Sequence, residues 1–372
     1  EIAMSITGNI GEWSEIYVLL KLLGDGEVHA GDENLNEIKN LVYPIIMILR
    51  EEADGKLKYL PENSDVVIQT SDGTELLRLP AKEFEHQAMS LLLALRSVNE
   101  KDSIKKGSFG ISYTEDFMTK IHCHTLKAKS SDKTDIRIVL HDRRTKLNAE
   151  MGFSIKSQLG GDSTLLNAGK TTNFNFKICG NKLSDTDINY INNLNPKQKK
   201  VILRVQAIES KGCHLVFDKV DNPIFRNNLA MLDSSLGEII GLLLLEQFKQ
   251  DTNMLKDLVR TLSEKNPLNF DMSQSIPYYA YKVKNLLTST ALGMMPGKAW
   301  DGKYDANGGY LVVKESGDIL CYHFYDRNRF EDFLYNNAYL ERSSTTRHEY
   351  AQIIKETDGS LSFKLNLQIR LK

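Results

Sequence analysis

Two apolar runs, DIRIVLHD (135–142) and EMGFSIKSQLGG (150–161), constrain this chain more than any other feature. The second carries Lys156 in its middle, and an ammonium among apolar neighbours costs free energy unless a counter-charge accompanies it. Strand alternation puts Ser154, Lys156 and Gln158 on one face and Phe153, Ile155 and Leu159 on the other. The first run opens on Asp135, with Ile136, Ile138 and Leu140 reading as core-facing. A short basic loop, RRTKLN, joins the two runs, so they are expected to pair and bring Asp135 to Lys156. The fold must then be built around a sheet that contains this pair.

At 372 residues and 41% hydrophobic, the chain has the make-up of a soluble globular protein of one large or two ordinary domains. Its longest apolar run, IIGLLLL (239–245), falls well short of the roughly 20 residues of a membrane span, so no membrane segment is expected. The opening residues lack a basic stretch and a small-residue cleavage site. Four scattered cysteines, without CxxC spacing, suit free thiols in a reducing compartment. A cytoplasmic protein is the resulting expectation.

Helical periodicity runs over 11–26 and 81–98, and strands are expected at 41–49, 65–70 and 172–178, with a hairpin about Asp72-Gly73. After residue 180 the pattern turns largely helical, then closes with a hairpin over 308–325 and further strands near the end. The fold class read from this is α/β. Residues 1–180 form a core with an N-terminal helix, and residues 181–372 a helical and β-hairpin C-terminal region.

A carboxylate and an ammonium at the diverging end of two strands make a minimal metal-and-water site. The acid holds Mg²⁺ with phosphate oxygens, while the lysine positions a water and offsets charge developing on phosphorus. That is the arrangement of the PD-(D/E)xK nucleases, with two departures: Ser154 stands at the acidic position before the lysine, and Thr134-Asp135 replaces Pro-Asp. A second acid is needed. Glu15 is preferred, then Glu12, both on the first helix; Glu150 lies about 13 Å away at ordinary strand rise, and Asp162 requires the turn to fold back. NAGKTT (167–172) is no P-loop, because Thr164 stands where that motif needs glycine. The net charge of −2 argues against a wholly basic nucleic-acid binder. Yet Lys120 to Lys177 holds eleven Lys/Arg against five Asp/Glu, a stretch suited to phosphates.

GNIGEWSEIYVLLKLLGDG, GFSIKSQLGGDSTLLNAGKTTNF and GGYLVVKESGDILCYHFYDRNRFEDFLYNNAYLERSSTTRHEY, with LNLQIRLK, together resemble the HpaII-type restriction endonucleases over essentially the whole chain. The resemblance implies a restriction-endonuclease-like mixed β-sheet core flanked by helices. It also implies Mg²⁺-dependent cutting of double-stranded DNA at a short palindrome, CCGG for the family's namesake. Asp135, Lys156 and Gln158 would form the active-site group, Ser154 would replace the usual acid, and Glu15 or Glu12 would complete the metal shell. Ser163, Thr164, Asn167, Lys170, Thr171 and Asn173 are then donors for DNA phosphates. Arg143, Arg144, Arg327, Arg329, Arg342, Arg347 and His348 are candidates for base edges. A palindrome implies a homodimer at some stage, and a companion methyltransferase that protects the same site. The competing readings are a catalytically silent DNA-binding protein and a repair or modification-dependent nuclease on the same core.

Overall fold

The computed structural model describes residues 6–52, 55–100, 107–127, 134–250 and 252–372. Of the basic stretch, Lys129 and Lys133 lie outside the described residues. The strands are β1 (Glu27–Gly31), β2 (Glu37–Glu52), β3 (Gly55–Glu62), β4 (Asp65–Thr70), β5 (Glu75–Pro80), β6 (Ile136–Asp142), β7 (Leu147–Ser157), β8 (Ser163–Leu166), β9 (Asn173–Gly180), β10 (Cys213–Val220), β11 (Gly309–Val313), β12 (Ile319–His323), β13 (Ala338–Leu340), β14 (Ile353–Lys355), β15 (Leu361–Asn366) and β16 (Ile369–Leu371). The helices are α1 (Ile10–Asp25), α2 (Ala81–Glu100), α3 (Ser112–Lys120), α4 (Asp185–Asn193), α5 (Lys200–Ser210), α6 (Pro223–Leu232), α7 (Leu236–Gln250), α8 (Leu255–Lys265), α9 (Tyr278–Leu292), α10 (Arg327–Asn337) and α11 (Thr345–His348).

Helix α1 starts where Asn9 and Glu12 form a capping box, each side chain bonding the other's backbone N–H. It stops at Gly26, whose φ of 71° is the left-handed cap that glycine adopts without strain. Trp13, Ile16, Tyr17, Val18, Leu19, Leu20, Leu22 and Leu23 are all buried, so the helix is apolar nearly all round and lies inside the core. Against α2 the approach is close: a Cβ on Gly24 would meet the backbone N of Glu85 at 2.9 Å.

Nine strands form the main sheet in the order β1–β12–β11–β7–β6–β2–β3–β4–β5. Pairs β1–β12 and β7–β11 are parallel and the others antiparallel, the mixed sheet expected. Strand β1 also pairs with β2, which joins β1, β12, β11, β7, β6 and β2 into a closed ring, with β3, β4 and β5 continuing from β2. The long β2 makes this possible by bending: its pairing with β6 slips between Ile45 and Met47, next to Pro44, which has no N–H to give a ladder.

Two compact units divide the chain, and they interleave in sequence rather than meeting at one cut near 180. The first is Glu1–Ser163 with Ala291–Gly293 and Tyr304–Phe333; the second is Thr164–Thr290 with Met294–Lys303 and Leu334–Lys372. The hairpin β11–β12 therefore belongs with the main sheet, although it lies in the last fifth of the sequence. Strand β9, expected at 172–178, forms as read but in the second unit, within the antiparallel order β10–β9–β15–β14. There α7, which carries IIGLLLL, is a core helix: Ile239, Ile240, Leu243, Leu244 and Leu245 are buried. Among the described residues no single helix is long and apolar enough to cross a membrane.

Candidate active site

Strands β6 and β7 pair antiparallel from Asp142↔Leu147 to Ile136↔Phe153, and there β6 ends. Asp135 continues its line for one residue, its N–H bonding the Phe153 carbonyl at 2.9 Å. Beyond that point β7 has lost its neighbour, and the Asp135 carboxylate takes the missing strand's place. Its Oδ2 accepts the Ile155 N–H at 2.7 Å and the Ser154 hydroxyl at 3.0 Å. Thr134 braces the preceding residue by donating its hydroxyl to the Asp305 carbonyl at 2.8 Å. Where the usual motif has a second acid, Ser154 is thus a buried neutral donor that fixes the first.

Lys156 sits opposite Val312 of β11, with its ammonium 5.5 Å from the centre of the Tyr310 ring. Burial pushes its pKa down, while the charges of Asp135 and Glu15 act against that fall. These two carboxylates are the counter-charge that the sequence demanded. Glu15 reaches them because α1 is pinned to the end of β7: Ser14 Oγ lies 2.8 Å from Ser157 Oγ, and a Cβ on Gly160 would touch Ile10 at 3.3 Å. Burial, and after it the charge of Asp135, raises the Glu15 carboxyl to about 8. One helix and two strands therefore bring Glu15, Asp135 and Lys156 together.

The other acids are engaged elsewhere. Glu12 gives Oε2 to the Asn9 N–H at 2.9 Å, and its Oε1 is 3.4 Å from Lys127 Nζ. Glu150, opposite Val139, is three register positions from the Phe153 pair and bonds Arg137. Asp162 is exposed beyond Gly161, whose φ is 99°. Among the described residues no three His, Cys, Asp or Glu side chains gather as a metal-ligating group. Two hard carboxylates are nevertheless the donor set by which Mg²⁺ is commonly held, the rest of its shell being water and phosphate oxygen.

The DNA-contact candidates fare unevenly. Gln158 follows directly on β7, its N–H bonding the Val313 carbonyl at 2.8 Å, so it stays beside Lys156. Arg143 and Arg144 occupy the β6–β7 turn, at the far end of β7 from Lys156 and about 30 Å along it at ordinary rise. Arg144 is also held beside Asp142 and Asp326. Ser163 donates to the Ser157 carbonyl at 3.1 Å. In the second unit Thr164 lies within β8, Asn167, Lys170 and Arg347 are exposed, Thr171 is half-buried, and Lys170 pairs with Glu349. Asn173 is 2% exposed, and its amide is spent on the His348 carbonyl and on Asn366. Arg327 and Arg329 pair with Glu331 and Asp326 on and beside α10.

Sequence reasoning missed Tyr310, the ring beneath Lys156. Nothing in GGYLVV marks it, because only the parallel pairing of β11 with β7 sets Tyr310 opposite Ser154, across more than 150 residues of chain.

No solved structure matches the chain. The Type II restriction enzyme HpaII of Haemophilus parainfluenzae is 42% identical to it over 364 residues, covering 98% of both proteins. The family described as HpaII restriction endonuclease matches residues 9–371. From Asn9, which caps the helix bearing Glu15, to Leu371 in the final strand, the chain belongs to the HpaII restriction endonuclease family and is an endonuclease.

Proposed function

We propose that this protein is a type II restriction endonuclease that hydrolyses phosphodiester bonds of double-stranded DNA, with Mg²⁺, at a short palindromic site, CCGG. The observation that carries the reading is the convergence of Glu15, Asp135 and Lys156 where β6 stops and β7 continues. Bound there, Mg²⁺ supplies Lewis acidity toward a phosphate oxygen and lowers the pKa of a water. Asp135 and Glu15 would hold it, with Asp135 oriented by Ser154 and by the Ile155 N–H. Lys156 hydrogen-bonds the attacking water and offsets the charge that builds on the phosphate in the transition state. Gln158, next along the same face, orients water or a phosphate oxygen.

For the second unit we assign DNA recognition, dimerisation or both, with Asn167, Lys170, Thr171 and Arg347 as DNA contacts. Ser163 and Thr164 remain phosphate contacts in this reading, and Asn173 does not. Two equivalent strands in a palindrome favour a homodimer. The host is protected by a methyltransferase of the same site, and the setting is cytoplasmic.

The test is a digest of unmethylated phage DNA with Mg²⁺, beside Lys156→Ala and an EDTA control, with fragment ends sequenced. Discrete fragments from the wild type alone, ending within CCGG, are expected. Intact DNA in every lane, with binding that needs no metal, would make the protein a silent binder. Cutting restricted to methylated or damaged DNA would move it to the modification-dependent or repair nucleases.

A further inference from the structure

We propose that Lys127 is a second cation of the active site, a phosphate-contacting residue that Glu12 holds at the rim until DNA arrives. This rests on the nuclease reading above and adds to it a residue outside the Asp135–Lys156 motif.

The case begins with how much structure is committed to the turn before Lys127. Arg50 and Glu52, both 4% exposed, form a buried ion pair at 2.9 Å. Such a pair costs desolvation that its attraction only partly repays. What the pair does is grip one segment: Arg50 donates to the Thr125 carbonyl at 2.7 Å, and Glu52 Oε2 accepts the His124 N–H at 3.2 Å. Tyr59, fully buried, donates to the Ile121 carbonyl at 2.9 Å. Thr125 Oγ1 donates to the carbonyl of Lys127 itself at 2.8 Å. Leu126 is buried so tightly over Gly8 that a Cβ there would stand 2.3 Å from its Cδ1. Lys127 is thereby carried to the start of α1, one turn from Glu15.

Its partner there does not explain that investment. The contact with Glu12 is 3.4 Å, between side chains 63% and 28% exposed, and such pairs contribute about 0 to 1 kcal/mol. Glu12 is already committed to the helix cap through its other oxygen. A weakly held, mostly exposed ammonium on a rigid base, beside two acidic metal-site candidates, is placed to accept a polyanion. When a phosphate approaches, Lys127 exchanges a single carboxylate oxygen for it, while Glu12 keeps its cap.

The test measures binding of a duplex containing CCGG by fluorescence anisotropy in Ca²⁺, from about 50 to 200 mM salt, on a Lys156→Ala background that keeps the DNA intact. Each phosphate contact adds about 0.9 to the slope of log K against log salt. Lys127→Ala is expected to lower that slope by about one and weaken binding several-fold, while Lys127→Arg retains the slope. Glu12→Gln preserves the capping box, since glutamine serves at that position, and releases Lys127; binding tightens about threefold. An unchanged slope in Lys127→Ala, or equal slope losses in the alanine and arginine variants, overturns the assignment. If the Lys127 wild type on this background binds no duplex at any salt, it is the nuclease reading that fails.

Discussion

Ser154 donates its hydroxyl to Asp135 at 3.0 Å, so the residue that departs from the family spelling is bonded to the acid that keeps it. The Ile155 N–H bonds the same oxygen, so two donors orient the carboxylate. Ser154→Ala removes one of the two bonds and leaves the carboxylate free to turn. Losing a partner of this kind typically costs about 10- to 100-fold in metal affinity or activity. A titration of cleavage against Mg²⁺ should move its midpoint upward by about tenfold, and an unchanged midpoint would reduce Ser154 to packing.

Glu15 is expected to be a liability to the metal-free fold. Its carboxyl is raised to about 8, first by burial and then by Asp135, whereas the unfolded chain ionises near the ordinary value. Because the folded pKa lies above the unfolded one, the cost is absent below about pH 4.5, grows as pH rises, and is complete above about 8. Glu15→Gln should therefore raise the urea midpoint in EDTA at pH 8, by up to about 4 kcal/mol of stability, and change little at pH 4. The same variant should lose cleavage. A Glu15→Gln protein that is less stable than wild type at pH 8 would contradict the buried-carboxylate reading.

His323 has the opposite sign. It is 4% exposed, stacks on Tyr325 with ring centres 4.8 Å apart, and accepts the Tyr325 N–H at Nδ1. Burial lowers its pKa to about 4. A histidine held neutral contributes stability that is intact above the unfolded value near 6.5 and lost as pH falls toward 4, by up to about 3 kcal/mol. Urea unfolding from pH 7 to 4 should show this loss in the wild type and a smaller one in His323→Phe. Parallel curves for the two proteins would place the acid sensitivity elsewhere.

How far these relationships were legible depended on sequence separation. Asp135 and Lys156 could be read because one hairpin joins them, and alternation in β7 fixed which side chains share a face. Glu15 could be reached as a helical acid and preferred to Glu12, but spacing gave no physical ground for the preference. The distinction lies in Asn9, whose capping box occupies Glu12 and leaves Glu15 a turn further in. Tyr310 and the closure of the ring through β1–β2 depend on pairings between distant segments, for which local pattern carries no signal. The burial of Asn173 was not legible, because its partners, an Asn366 amide and a His348 carbonyl, lie more than 170 residues away in sequence. Arg143 and Arg144 were legible as a projecting turn, but their residue types do not say how far from the site that turn falls.

Gly152 ties the last of these local choices to catalysis. A Cβ built on it would stand 2.7 Å from both Cγ2 and Oγ1 of Thr134, and 3.2 Å from the Asp305 carbonyl oxygen. Thr134 is 1% exposed and its hydroxyl is bonded to that same carbonyl, so it has no room to withdraw. Gly152→Ala must then push on Thr134, and the displacement passes directly to Asp135. Overpacking of this kind costs about 1 to 3 kcal/mol, which a protein of this size survives, but a shift of about an ångström at a catalytic carboxylate costs on the order of 100-fold in rate. Cleavage should therefore fall much further than the unfolding midpoint. Thr134→Ala removes both crowding atoms, so the double variant Gly152→Ala/Thr134→Ala should cut faster than Gly152→Ala alone. If the two substitutions instead add their losses, Gly152 acts on the site by a route other than Thr134.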